Sequence, residues 1–385
     1  MSPANGRFQA RVYSSWADFE PLWSELLRGN GALPFQNPHW MKTWFDCFAP
    51  ATSGTKVQPV LVAISEPSSG RNVMLLPLVH SRSGMLDQIT FADFSVTDCN
   101  APVLSDGVPQ DPEGSAELWA CVLAALPRAD RMNLDKMPRT VGDLVNPLVL
   151  TGEAKPCIYS QNLTGVTNGW PAYLASLDRH HRKELGRSLR LFEAAGKDAK
   201  FRFASDSWQG HAILDFIDAA QRERLNSRGV RHVFADAAHS RFYRDLVTSG
   251  TGGDTLFISA LELDGGIVAG LMVLAAHPRA VLIRIANTGG DLARIGLGRL
   301  IIERTLNALN ARGFTEFDFS IGDGDHKRRF AARPRPLWTL QRRLSWRAIP
   351  AGMGDDAIRF AKGVPALRRL AARVKLLGQR WKTAR

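Results

Sequence analysis

The stretch LFISALELDGGIVAGLMVLAA, residues 256–276, is the part of this sequence whose reading decides the fold. Two apolar runs, Leu256 to Leu263 and Ile267 to Ala276, flank Asp264-Gly265-Gly266, a turn that suits two antiparallel strands. Val281 to Ala286 reads as a third strand. Asn287 to Arg294 then leads to Gly296-Leu297-Gly298 and to a helix ending near Arg312, with Leu300, Ile301, Leu306 and Leu309 on its apolar side. Gly313 ends it, and Phe314 to Phe319 is a further strand.

The same order occurs earlier in the chain. Strand-like runs at Val57 to Ile64 and Val73 to His80 flank Pro67-Ser68-Ser69-Gly70. A loop with Asp93, Asp98, Asn100 and Asp106 follows, then a helix from about Ser115 to Leu126 and a short strand at Arg131 to Leu134. This repetition predicts duplicated units. Aromatic stripes at Trp16, Phe19, Trp23 and at Trp40, Trp44, Phe45, Phe48 predict two core helices before the first unit. Between the units the pattern predicts a polar link at Leu163 to Gly169, a basic helix from about Pro171 to Ala194, and another helix from about Trp208 to Asn226.

At 385 residues the chain exceeds one ordinary core, with 45% hydrophobic and 22% charged residues in normal globular proportion. Its longest apolar runs fall short of the ~20 residues a bilayer needs. The first residues carry no apolar run of signal-peptide type, and the expectation is a cytoplasmic protein. Cys47, Cys99, Cys121 and Cys157 have no metal-ligand spacing and read as buried thiols, so no metal site is expected. The net charge of +12 is unevenly spread: residues 1–165 hold 12 Lys/Arg against 16 Asp/Glu, which leaves 37 against 21 for the remainder. An anionic partner is therefore implied for the second half.

A helix that opens directly after a glycine turn presents free N–H groups and the positive end of its dipole. Gly296 and Gly298 allow close backbone approach, and Arg294 and Arg299 add charge, so a diphosphate is a plausible ligand of Gly296, Leu297, Gly298 and Arg299. A complete dinucleotide fingerprint and a Walker A loop are both missing.

The duplicated units, this turn, and the run Phe317-Asp318-Phe319-Ser320-Ile321-Gly322-Asp323-Gly324-Asp325-His326-Lys327 together resemble the GNAT acyltransferase superfamily. More narrowly the chain resembles the CelD-like branch linked to cellulose and exopolysaccharide production, related to the Fem peptidyltransferases. The last run is similar to that group's Gly-Asp-x-x-Tyr-Lys signature, with His326 in place of the tyrosine. The superfamily's usual Gln or Arg would fall at Ala293, whereas the arginine here is Arg294. The resemblance implies an α/β fold of two tandem GNAT-like domains with mixed, largely antiparallel sheets: a degenerate unit at 1–165 that binds no cofactor, an acyl-CoA-binding unit at 166–350, and a basic amphipathic tail at 351–385.

It also implies an acyltransferase that moves an acyl group, acetyl first of all, directly from acetyl-CoA or another acyl-CoA to an amine or hydroxyl of a sugar, polysaccharide or envelope precursor. Under that reading His326, Asp323, Asp325 and Asp318 are the candidate catalytic groups. Arg294, Gly296, Leu297, Gly298, Arg299 and Asn287 would hold the cofactor, and Arg182, Lys183, Arg187, Glu223, Arg224 and Lys327 would meet the acceptor. The tail from Arg359 holds nine basic residues and no acidic one, and predicts peripheral contact with an anionic membrane at its inner face. Two alternatives stand beside the enzyme: a Fem-like transferase taking its aminoacyl group from tRNA, and a non-catalytic accessory protein of a polysaccharide synthase. Other nucleic-acid binding finds no motif.

Overall fold

The computed structural model describes residues 6–28, 32–49, 57–226, 236–322 and 324–348; Asp323 and the tail at 351–385 lie outside them. The first half runs β1 (Gln9–Tyr13), α1 (Trp16–Arg28), α2 (Pro38–Phe48), β2 (Val57–Ser65), β3 (Asn72–Ser83), β4 (Leu86–Phe91), β5 (Val103–Leu104), α3 (Pro112–Ala125), β6 (Arg131–Met137), β7 (Thr140–Val141), β8 (Leu144–Val145), α4 (Pro147–Leu150) and β9 (Lys155–Gly165). The second half runs α5 (Trp170–Ser176), α6 (Arg179–Glu193), β10 (Ala199–Phe203), α7 (Ser207–Asn226), α8 (Ala237–Gly250), β11 (Leu256–Leu263), β12 (Gly266–Ala276), β13 (Arg279–Asn287), α9 (Leu297–Asn310), β14 (Glu316–Asp318), α10 (Asp325–Arg329) and β15 (Arg333–Arg343).

The expected hairpin is β11 and β12, joined where Asp264 and Gly265 adopt positive φ of 49° and 83°. Both φ values belong to the left-handed turn that matches strand twist, and Asp and Gly tolerate them best. The expected single helix over 171–194 is two helices instead. Asp178 is the reason, because its carboxylate accepts from the N–H groups of His180 and His181 and so starts α6 afresh. The polar link expected at 163–169 begins inside β9.

The strands form one continuous sheet rather than two, in the order β1-β2-β3-β4-β6-β15-β9-β14-β13-β12-β11-β10, with β5 beside β3. The sheet is mixed and largely antiparallel; β4 with β6 and β13 with β14 are its parallel pairs. Each parallel pair ends one repeat of the same local order. The repeats exchange their last strands: β9 closes the first half of the chain yet pairs with β14, and β15 closes the second yet pairs with β6. β9 and β15 lie side by side at the centre.

Two apolar cores flank the sheet. One joins α1, α2 and the first-half strands to α7 and α8, with Trp40 edge-on to Phe242 at 4.8 Å between ring centres. The other packs α5, α6 and α9 on the opposite face of the second half. Among the described residues no helix is long and apolar enough to cross a membrane. The four cysteines are free thiols that burial pushes above their ordinary range, Cys47 to about 12, so none is primed as a nucleophile.

Candidate active site

The parallel pair β13 and β14 shares only three register positions, Arg279 with Glu316, Ala280 with Phe317 and Val281 with Asp318. β13 runs on to Asn287 while β14 stops, and a bulge between Met272 and Val273 on the neighbouring ladder bends β13 just past the last shared pair. From Leu282 onward β13 therefore has no ladder partner on the β14 side. A gap of this kind in a central sheet leaves backbone groups facing a cleft.

After β13 the chain passes through Gly296 into α9. Gly296 has φ of 77°, left-handed backbone that glycine adopts without strain, and no side chain caps the helix. The guanidinium of Arg299 folds back over the turn, into the space that a β-carbon at Gly296 would take. Arg299 Nη1 is 2.7 Å from Glu184 Oε2 of α6, and Arg329 Nη1 donates to the same oxygen at 2.9 Å. These arginines, Arg299 first, hold the Glu184 carboxyl below its ordinary range. Arg299 beside the turn is thus already paired with a carboxylate. Arg294 is exposed, and Asn287, also exposed, sets its Oδ1 beside Gly298, 3.1 Å from where a β-carbon would stand.

Asp318 is 2% exposed at the end of β14. Its Oδ2 accepts from Gln161 Nε2 at 2.9 Å and its Oδ1 from the Ser320 N–H at 2.8 Å. Burial outweighs these bonds and raises its pKa to about 6. Ser320 is held at a φ of 66° and donates its hydroxyl to Asp98, a carboxyl of the first half that burial also raises. Beside them Lys136 sits 2.6 Å from Asp93; burial opposes its charge, but Asp93 and Asp98 keep it above the ordinary lysine value. Lys327 is 7% exposed and donates to the carbonyls of Ser320 at 3.0 Å and Ile321 at 2.8 Å, so it braces the loop after β14.

The other candidates lie further out. Asp325 is exposed and paired with Arg328. His326 is exposed on α10, where desolvation against its own loop and the charge of Lys327 lower its pKa. Arg182 donates to the carbonyls of Ala175 and, at 2.6 Å, Leu177, closing the end of α5, while Lys183 and Arg187 are exposed along α6. Glu223 and Arg224 are exposed near the end of α7. One buried cluster escaped the sequence reading. Arg284, 3% exposed on β13, is 2.7 Å from Asp218, bonds Gln221, and lies 4.7 Å from the centre of the Tyr243 ring. A lone arginine inside the apolar run VLIRIA was the available signal, because a buried charge needs a partner. Among the described residues no group of three or more His, Cys, Asp or Glu could hold a metal ion.

Residues 179–328 match the family model described as "Acetyltransferase (GNAT) domain". A comparison with curated protein sequences finds no match. Solved structures share the fold over most of the chain. FemX aligns with a TM-score of 0.58 at 11% identity, covering 86% of this chain and 96% of that one. The C-terminal domain of a putative lysylphosphatidylglycerol synthetase from Agrobacterium fabrum aligns with a TM-score of 0.52 at 12% identity, covering 89% and 97%. L-PGS from Bacillus licheniformis aligns with a TM-score of 0.51 at 11% identity, covering 86% and 94%. Residues 179–328, the segment that holds the parting strands and the glycine turn, are thus similar to a GNAT acetyltransferase domain, on a chain fold shared with FemX and the two synthetases.

Proposed function

We propose that the protein transfers an acyl group, acetyl first of all, from acyl-CoA to an amine or hydroxyl of a sugar, polysaccharide or envelope precursor. The observation that carries this reading is the parting of β13 from β14, followed in the chain by an uncapped helix start whose Arg299 is paired with a carboxylate. The residues fit the donor's diphosphate: Gly296 provides the left-handed turn, no side chain caps the start of α9, and Arg299 adds charge where Glu184 now supplies the oxygen. Acyl-CoA would bring the activated thioester.

The chain's own groups then have three tasks. Backbone N–H groups of β13 beyond Val281 would polarise the thioester carbonyl. Asp318, ionised above about pH 6, would take the proton of the attacking nitrogen or oxygen as the new C–N or C–O bond forms. The C–S bond breaks in the same sequence, and the leaving thiolate takes a proton from solvent or from His326 at the exposed edge.

Acetyl-CoA is expected to raise the melting temperature of the protein, and Gly298→Glu, which puts a carboxylate at the turn, to abolish that rise. Glu184→Ala is expected to strengthen it, since the competing carboxylate is gone. No shift with either the parent or the Glu184 variant would sink the reading.

A second reading is favoured by that same Glu184, which spans the turn through Arg299, and by the shared fold of FemX and the lysylphosphatidylglycerol synthetases. In it the acyl donor is an aminoacyl-tRNA. Co-purified tRNA released by salt, with no response to acetyl-CoA, would select it.

A further inference from the structure

A cavity of about 890 Å³ lies where the two repeats exchange strands, and no residue of the glycine turn lines it. β6 stops at Met137, opposite Trp338, and the chain turns off through Pro138 and Arg139. β15 therefore has β9 on one side over Arg333 to Pro336 and no strand on the other. Alternate residues of a strand aim their N–H groups to the same side, so Pro334 and Pro336 leave that side without backbone donors. The alternating Arg333 and Arg335 share one face.

Both arginines line the cavity and are exposed, as is Arg139, whose guanidinium stands 5.9 Å from the centre of the Trp338 ring. Among the described residues no carboxylate pairs with any of the three. Arg279 also lines the space but is neutralised by Glu316 at 2.7 Å. Three uncompensated guanidinium groups around one concavity repel each other and favour an anion between them. Their planar forks match the paired oxygens of phosphate or carboxylate, and the indole of Trp338 offers a flat apolar face.

We propose that this cavity binds a small oxyanion-bearing ligand, gripped by Arg333, Arg335 and Arg139 with a ring against Trp338. The site is distinct from the turn at Gly296 and does not depend on what the acyl donor is. Gln161 lines the cavity and donates to Asp318, so the ligand lies one side chain from the candidate active site.

Calorimetric titration of the full chain with glucose 6-phosphate and with glucuronate, at low salt and without acyl donor, tests it; the two probes separate a phosphoryl from a carboxylate ligand. At least one is expected to bind in the millimolar range or tighter. R333E/R335E is expected to weaken that binding at least tenfold, and R333Q/R335Q, the milder pair, to weaken it measurably with the same thermal melt as the parent. R128E/R190E, which changes net charge equally at two exposed positions elsewhere, is expected to leave it within twofold. Failure of both probes to bind, undiminished binding by the Arg333/Arg335 variants, or equal loss in the control would overturn the proposal. The acetyl-CoA melting shift, read on the same variants, reports separately on the donor site.

Discussion

Asp318 is where single-residue chemistry is most exposed to test. Its two carboxylate oxygens each accept one hydrogen bond, yet it sits in so little solvent that the proton stays on to about pH 6. The native carboxyl is thus a weaker acid than its unfolded counterpart, and between about pH 4 and pH 6 the folded state binds more protons. Stability from this group is present at low pH and declines as pH rises through 6. Asp318→Asn removes that titration, so the variant is expected to gain on the parent by about 2 kcal/mol between pH 4 and pH 8 in paired denaturant titrations. A constant difference across that range would show that the carboxyl is not buried as described. If Asp318 takes the acceptor's proton, the same variant loses about 10²-fold or more in kcat with little change in KM, and the low-pH limb near 6 disappears from its rate profile.

Between elements, the geometry of the cleft depends on how α7 seats on the sheet. Gly270 of β12 permits that approach: a β-carbon there would meet Ile213 Cγ2 and Ile217 Cγ1, both at 2.9 Å. Gly270→Val is expected to cost about 1–3 kcal/mol in chemical unfolding, through overpacking rather than backbone strain. An unaltered midpoint would mean that α7 has room to move. Some of this level was legible beforehand. The hairpin β11–β12 followed from two apolar runs around an Asp-Gly-Gly turn, and the strand before the glycine turn lay within two residues of its observed bounds at Arg279–Asn287. The break between α5 and α6 was hidden, because Asp178 is as compatible with a helix surface as with a cap until its carboxylate is seen to accept two N–H groups. β15 was hidden as well: Arg and Pro alternate over 333–336, a composition that argues against an interior strand and suits one with an uncovered side.

For the whole molecule the exchange of β9 and β15 matters most. Each repeat completes its sheet with a strand lent by the other, and α2 of the first half packs Trp40 and Phe48 on Phe242 of α8 in the second. Residues 1–165 produced alone should therefore lack β15, expose the edge of β6, and show no cooperative unfolding. Mixing with 166–385 should restore a single transition; independent cooperative melting of the first fragment would contradict the interlocking. Local sequence determined the repeated hairpins, the glycine turn and the core stripes, because periodicity and turn chemistry act over a few neighbours. Only tertiary structure decided that the two sheets are one, that Glu184 reaches Arg299, that Gln161 meets Asp318, and that Ser320 meets Asp98. Those contacts join positions more than a hundred residues apart, and no short window of sequence contains both partners.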